Sequence, residues 1–196
     1  KRLSKGFVLA GPNVSSSKLG DESYQLYRKF PQLIVAVDED RRDGIRKLLK
    51  LPQPPKVVIL DDAMQHRYVK PGLTLCLTSH NRIMYKDRLL PMGRLREPIQ
   101  GVQRADVVLV TKCPSALRQE ETVEIVGNVP TSQQPILYSS YRYGKLVNLE
   151  TGLPTEVDHT TQVLVVTGIA DPTVLHNYVQ THYRLLDILN YGDHHR

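Results

Sequence analysis

The chain has 196 residues, 40% hydrophobic and 23% charged, which is enough for one domain, or one and a fraction, around a real core. Its formal charge of +6 and isoelectric point near 9.3 favour anionic partners such as nucleotides, phosphorylated lipids or nucleic acid. No apolar run here is long enough to span a bilayer, the residues at the amino terminus do not read as a secretory leader and, with no Trp and scattered Tyr residues, no RNA-stacking signature is gathered, so the expectation is a soluble chain with no nucleic-acid partner.

Short apolar strands alternate with helical patterns, which predicts α/β layering. Phe7–Ala10 reads as a strand, and a polar loop then leads through Gly20-Asp21-Glu22 to a helix over Ser23–Phe30 closed by Pro31. Leu33–Val37 is the second strand. A basic helix follows over about Asp38–Leu51, where Ile45, Leu48 and Leu49 form an i, i+3, i+4 face ringed by Arg41, Arg42, Arg46, Lys47 and Lys50. Such a run is the usual composition of a solvated helix face.

Pro52–Pro55 makes a tight connector to Val57-Val58-Ile59-Leu60-Asp61-Asp62. Four apolar, largely β-branched residues predict a parallel strand covered on both faces. In open sheets ligands bind outside the carboxyl ends of such strands, so Asp61 and Asp62 are expected on a rim. Paired carboxylates there suit Mg²⁺, which takes oxygen ligands and shares them with substrate phosphates. The alternative is that Asp61 caps a turn while Asp62 is solvated.

Leu73–Thr78 is the fourth strand, Val107–Val110 the fifth, and Pro114 sits before a helix over Ser115–Val126, near its first turn. Between those strands runs a long loop, Ser79–Gly101, a length more often functional than idle. The stretch Gln134–Asn148 is Tyr-rich around Gly144 and predicts a β-ribbon or hairpin. Val163–Thr167 with Gly168 returns to strand, turn and helix start. Cys76 and Cys113 lie far apart in apolar stretches with no metal-ligand spacing, which argues against both zinc and a disulfide framework and implies a reducing compartment.

Four blocks taken in order carry a resemblance. They are GDES (Gly20–Ser23), VILDDAMQHRY (Val58–Tyr68), LLPMGRLREP (Leu89–Pro98) with TKCP (Thr111–Pro114), and VVTGIADP (Val165–Pro172) with the terminal DHHR. Together they resemble the tetraacyldisaccharide 4′-kinases, which phosphorylate the lipid A precursor of Gram-negative bacteria, in the style of the Bacteroidetes branch.

The resemblance implies a P-loop kinase-like fold, a mostly parallel sheet with flanking helices. ATP would donate its γ-phosphate to the 4′-hydroxyl of tetraacyldisaccharide 1-phosphate, giving lipid IVA, with Mg²⁺ as cofactor. It implies catalytic roles for Asp21 and His194. It implies metal contacts for Asp61, Asp62 and Glu97, and supporting or phosphate-binding roles for Gln65, His66, Arg94 and Arg96. It also implies a disaccharide-lipid substrate met at the cytoplasmic face of the inner membrane, and no protein partner.

No stretch fits GxxxxGK[ST], so the phosphate-cradling loop is absent from this chain. In the family that motif lies upstream with a membrane anchor. The expectation is therefore an α/β fragment incomplete at both ends and inactive alone, divided as 1–132 for the kinase-like domain, 133–150 for a ribbon or hinge, and 151–196 for the start of a carboxyl-terminal α/β part. Ser23 stands where the family has Pro, Ala63 where it has Gly, and Arg94 where Pro is common.

Alternatives remain for each residue at this point. Asp21 has an N-cap alternative worth about 1 kcal/mol, His66 that of a hydrogen-bonded rim residue, and Arg96 with Glu97 that of a surface ion pair. Lys112 would approach nucleotide or simply stand exposed at a strand end. For the whole chain the alternative is a non-catalytic basic α/β module binding nucleotide or nucleic acid.

Overall fold

The first of two units, Lys1–Tyr141, opens with an antiparallel pair of two-residue strands, β1 (Val8–Leu9) and β2 (Ala36–Val37), in register Val8 to Val37. The structure, a computed structural model, describes residues 2–169 and 171–192. Between the two strands lie α1 (Ser16–Leu19), whose Leu19 is buried, and α2 (Asp21–Lys29). α3 (Arg41–Leu48) follows β2, and its start is fixed by Asp40, whose Oδ1 accepts the Arg42 amide at 2.9 Å. That hydrogen bond satisfies one orphan donor of the first turn. The Arg42 guanidinium on the same carboxylate holds Asp40 down at about 2.

The main sheet is parallel, in the order β3 (Leu75–Ser79), β4 (Val107–Cys113), β5 (Ile136–Ser140). Side chains alternate across it. In register, Cys76, Val108 and Ile136 form one row of one face and Thr78, Val110 and Tyr138 the next. Helix α4 (Gln119–Asn128) and the turns Met84–Lys86 and Ile99–Arg104 supply Ile125, Met84 and Val102 against that face, joined by Ile83 and Val129. Val108 and Val110 have no exposed surface at all, and each such burial is worth about 1.5–3 kcal/mol. The opposite face carries Leu77, Leu109 and Leu137 in one row and is open, with Leu77 61% and Leu137 53% exposed.

The second unit, Arg142–Arg196, holds a βαβ module of β6 (Gln162–Thr167), α5 (Thr173–His182) and β7 (Arg184–Asn190). Its strands are parallel, with a register shift after Val163. Among its described residues, Val165 and Thr167 of β6 and Val179 of α5 are buried. Tyr143 stacks on Tyr178, with ring centroids 3.9 Å apart, and Tyr178 stacks on His182.

A mixed α/β chain with parallel sheets agrees with the expected class, but three local expectations are corrected. Val57–Leu60 is not a strand. It pairs with nothing among the described residues, and Val57 and Ile59 are mostly exposed. An apolar run becomes a buried strand only where a neighbour offers ladder hydrogen bonds, and no described residue offers them to this segment. Ile136–Ser140 is a parallel strand reached through α4 rather than part of a ribbon. A ribbon-like contact survives only as the antiparallel bridge between Val147 and Pro154. Finally, α4 starts at Gln119, five residues beyond Pro114, where the Glu121 carboxylate accepts the Arg118 amide at 3.1 Å.

Candidate functional site

The Asp61-Asp62 loop is held not by sheet pairing but by the segment from Arg96 to Arg104. Arg96 meets Asp62 two-pronged: Nη1 donates to Oδ2 at 2.9 Å and Nη2 donates to Oδ1. This fork is the geometry that guanidinium and carboxylate favour. It holds the Asp62 carboxyl below the usual aspartate range against an opposing push from burial, and Arg41 adds to the lowering. Asp62 itself sits at φ 47, a left-handed conformation uncommon outside glycine and found at turns and functional sites.

Beside this pair Glu97 is the hub. Burial pushes its carboxyl up, but the Arg104 guanidinium, Gln65 and Arg67 outweigh that, and the net shift is downward. Arg104 Nη2 donates to both Glu97 oxygens at 2.7 Å, Gln65 Nε2 donates to Oε1 at 3.2 Å, and Arg67 reaches Oε2 at 3.5 Å. Arg104 Nη2 also points to the Met64 carbonyl at 3.4 Å. Four residues of the acidic loop, Asp62, Met64, Gln65 and Arg67, are thereby gripped by Arg96, Glu97 and Arg104.

The loop carrying Arg96 is ordered by its own turns. Asp87 Oδ1 accepts the Arg88 and Arg94 amides, the Leu90 amide donates to the Leu95 carbonyl, and the Leu95 amide donates to the Arg88 carbonyl. Gly93 permits this, since a Cβ there would lie 2.2 Å from the Arg88 carbonyl oxygen.

The position of the cluster differs from expectation. Arg104 ends a turn just before β4, and the half-buried Cys76 near the start of β3, its thiol pushed up chiefly by burial, feels the charges of both Glu97 and Arg104. Glu97 and Arg104 therefore border the amino ends of β3 and β4, and no strand ends at Asp61 and Asp62. At the carboxyl end of β4 stands Lys112, exposed and at φ 58 beside a register shift.

The remaining residues divide as follows. Asp61 is exposed and makes no hydrogen bond or ion pair with any described residue. The His66 ring meets Tyr68 edge-on, and its buried Nδ1 has no hydrogen-bond partner among the described residues, which corrects the hydrogen-bonded rim alternative. Arg94 is exposed and enters the site only through its backbone amide. Asp21 is the exposed first residue of α2, whose cap position is Gly20, so its alternative as an N-cap is corrected as well. His194 lies outside the described residues.

Among the described residues no group of three His, Cys, Asp or Glu is placed to hold a metal ion. Asp61, Asp62 and Glu97 are thus not gathered as a ligand set. Mg²⁺ needs only one or two carboxylates when phosphates and water complete its shell. Asp61, with its oxygens free, fits that demand, whereas the Glu97 oxygens are already occupied by nitrogen donors. Sequence reasoning missed Arg67, Arg104 and the approach of Arg41 to Asp62. Arg67 has no implied role although it lies inside the DDAMQHR block, and Arg104 belongs to no motif block.

Comparison with known proteins gives one consistent answer. The family profile described as Tetraacyldisaccharide-1-P 4'-kinase matches residues 1–196. Curated relatives named Tetraacyldisaccharide 4'-kinase include those of Bacteroides thetaiotaomicron, 41% identical over 213 residues, and Parabacteroides distasonis, 44% over 203. Both alignments cover 100% of this chain and 55% of the relative. That of Flavobacterium psychrophilum is 38% identical over 199 residues, covering 100% and 57%. The chain thus spans about half the length of the curated relatives it matches. No solved structure matches. Among the described residues no helix is long and apolar enough to cross a membrane.

Proposed function

The chain belongs to the tetraacyldisaccharide-1-P 4'-kinase family, and from that premise we propose that the whole protein transfers the γ-phosphate of ATP to the 4′-hydroxyl of tetraacyldisaccharide 1-phosphate. The new bond joins the sugar oxygen to phosphorus, the bond from phosphorus to the β-phosphate oxygen breaks, and ADP leaves. The hydroxyl proton passes to Asp21, with His194 as the partner that tunes or relays it. The acceptor is a lipid, which sets the reaction at the cytoplasmic face of the inner membrane.

Phosphoryl transfer depends on positioning and charge neutralisation more than on covalent chemistry. When bound, Mg²⁺ neutralises phosphate charge, and Asp61 is the carboxylate with oxygens free to hold it. Arg96 keeps Asp62 ionised at its side, and its fork has the shape that a phosphate also accepts. Glu97 orders the loop rather than ligating the ion.

The observation that carries this reading is the joining of the two motif blocks that the family resemblance singled out, through Arg96 to Asp62 and Glu97 to Gln65. Assay of ATP-dependent phosphorylation of the disaccharide lipid by the whole protein tests it. Asp61→Ala is expected to lower turnover by on the order of 100-fold or more with the fold intact. A near-normal rate refutes the assignment. Nucleotide binding without any transfer by the unaltered protein favours the non-catalytic module instead.

A further inference from the structure

We infer that Arg104 is a positioning residue for phosphoryl transfer, acting through Glu97 to hold the Asp61–Arg67 loop in place, an inference that rests on the kinase reading above. The loop has no ladder of its own, since Val57–Leu60 pairs with nothing among the described residues. What fixes it is polar. Arg104 Nη2 bonds both Glu97 oxygens at 2.7 Å and faces the Met64 carbonyl at 3.4 Å, while Glu97 in turn takes Gln65 and Arg67. Remove the guanidinium, and Glu97 becomes a carboxylate that is only 17% exposed and has lost its nearest cation. Such a group turns outward to water or loses its charge, and either response weakens its hold on Arg67 and on Gln65.

The backbone is shaped around this contact. A Cβ added at Gly101 would lie 2.8 Å from Glu97 Cδ and Oε2 and 3.0 Å from Arg104 Nη1. The missing side chain at position 101 is therefore the space in which the carboxylate and guanidinium meet. These three atoms all belong to the far ends of flexible side chains. Gly101→Ala accordingly disturbs the clamp without demanding a backbone shift.

The arrangement gives Glu97 and Asp61 different work. Glu97, saturated by nitrogen donors, organises; Asp61, one residue before the gripped Asp62, is left free for the cation. Groups that orient a metal's ligands in this way commonly contribute about 10- to 100-fold to metal affinity or activity.

The test uses the whole protein in four forms: unaltered, Arg104→Met, Arg104→Lys and Gly101→Ala. Amide hydrogen exchange over residues 61–67 is measured alongside the Mg²⁺ dependence of lipid phosphorylation and the split between kcat and KM for the lipid. Arg104→Met is expected to speed exchange in that segment and raise the half-saturating Mg²⁺ about 10-fold or more. The KM for lipid should stay near its original value, and Arg104→Lys should recover part of the loss.

Gly101→Ala is expected to act in the same direction, and it decides the matter if Arg104→Met fails to fold. Folded variants with unchanged exchange overturn the inference. So does faster exchange with unchanged Mg²⁺ dependence, which reduces Arg104 to a structural tie. Should the unaltered protein fail to phosphorylate the lipid, the kinase reading falls and this role falls with it, whereas an active unaltered protein whose folded variants match it in exchange leaves the kinase reading standing and overturns this role alone.

Discussion

The two faces of the β3-β4-β5 sheet are built from the same kinds of residue and have opposite fates. On one, Val108 and Val110 are fully buried beneath Ile125, Met84 and Val102; on the other, Leu75, Leu77 and Leu137 stay about half exposed. Their strands, registers and hydrogen bonds are shared, so the difference comes only from what lies above each face. Parallel sheets are ordinarily covered on both faces. Apolar character in a strand therefore states a demand for cover, while the cover itself is supplied by other segments. The exposed run Val57–Leu60 makes the same demand, and no described residue pairs with it.

The largest expected effect lies on the closed face. Ile125→Ala should cost about 2–5 kcal/mol, because it removes buried methyl groups and leaves a cavity in a close-packed layer. Urea unfolding of the chain measures this, and a loss under about 1 kcal/mol would show that the face is not the core.

A smaller effect is expected at the Asp62–Arg96 pair, whose aspartate side chain is 63% exposed, so solvent screens the interaction. The folded Asp62 titrates below its unfolded value of about 3.9. Its contribution to stability is thus fully present above that value and is lost as pH falls through the lower folded one. The stability difference between the unaltered chain and Arg96→Gln should therefore close as pH drops below about 3.9, and shrink in salt. A difference that persists at about pH 2 would assign Arg96 a packing role instead.

The smallest effect is expected on the open face, where Leu77→Ser should change the stability of this chain by no more than about 0.5 kcal/mol. It should also reduce binding of a hydrophobic dye. A loss comparable to that of Ile125→Ala would break the contrast between the faces.

Much of the fold could be read from the residues. β3 and β4 declare themselves as apolar runs, and the basic helix α3 by its apolar i, i+3, i+4 positions, because such patterns depend only on local geometry. The tertiary links could not be read in the same way. Nothing local in Val57–Leu60 distinguishes a paired strand from an unpaired one, and the Tyr-rich composition after Gln134 hid the parallel strand Ile136–Ser140. At the site, the motif blocks identified Asp62, Gln65, Arg96 and Glu97, which do come together. Arg104 was invisible because the stretch around it reads as loop, so the i, i+4, i+7 spacing of Glu97, Gly101 and Arg104 carries meaning only once Ile99–Arg104 is seen to coil into a turn. The left-handed Asp62 was equally unreadable, since Asp tolerates that conformation without requiring it.

The acidic loop gripped by Arg96, Glu97 and Arg104 is proposed to serve phosphoryl transfer to the disaccharide lipid. Single-turnover transfer of labelled γ-phosphate from ATP to tetraacyldisaccharide 1-phosphate by the whole protein, compared with its Asp61→Asn variant at saturating ATP, tests it most directly. Transfer by the unaltered protein is expected, with a rate lower by on the order of 100-fold in the variant that is partly restored by raising Mg²⁺. Equal rates in the two proteins would contradict it.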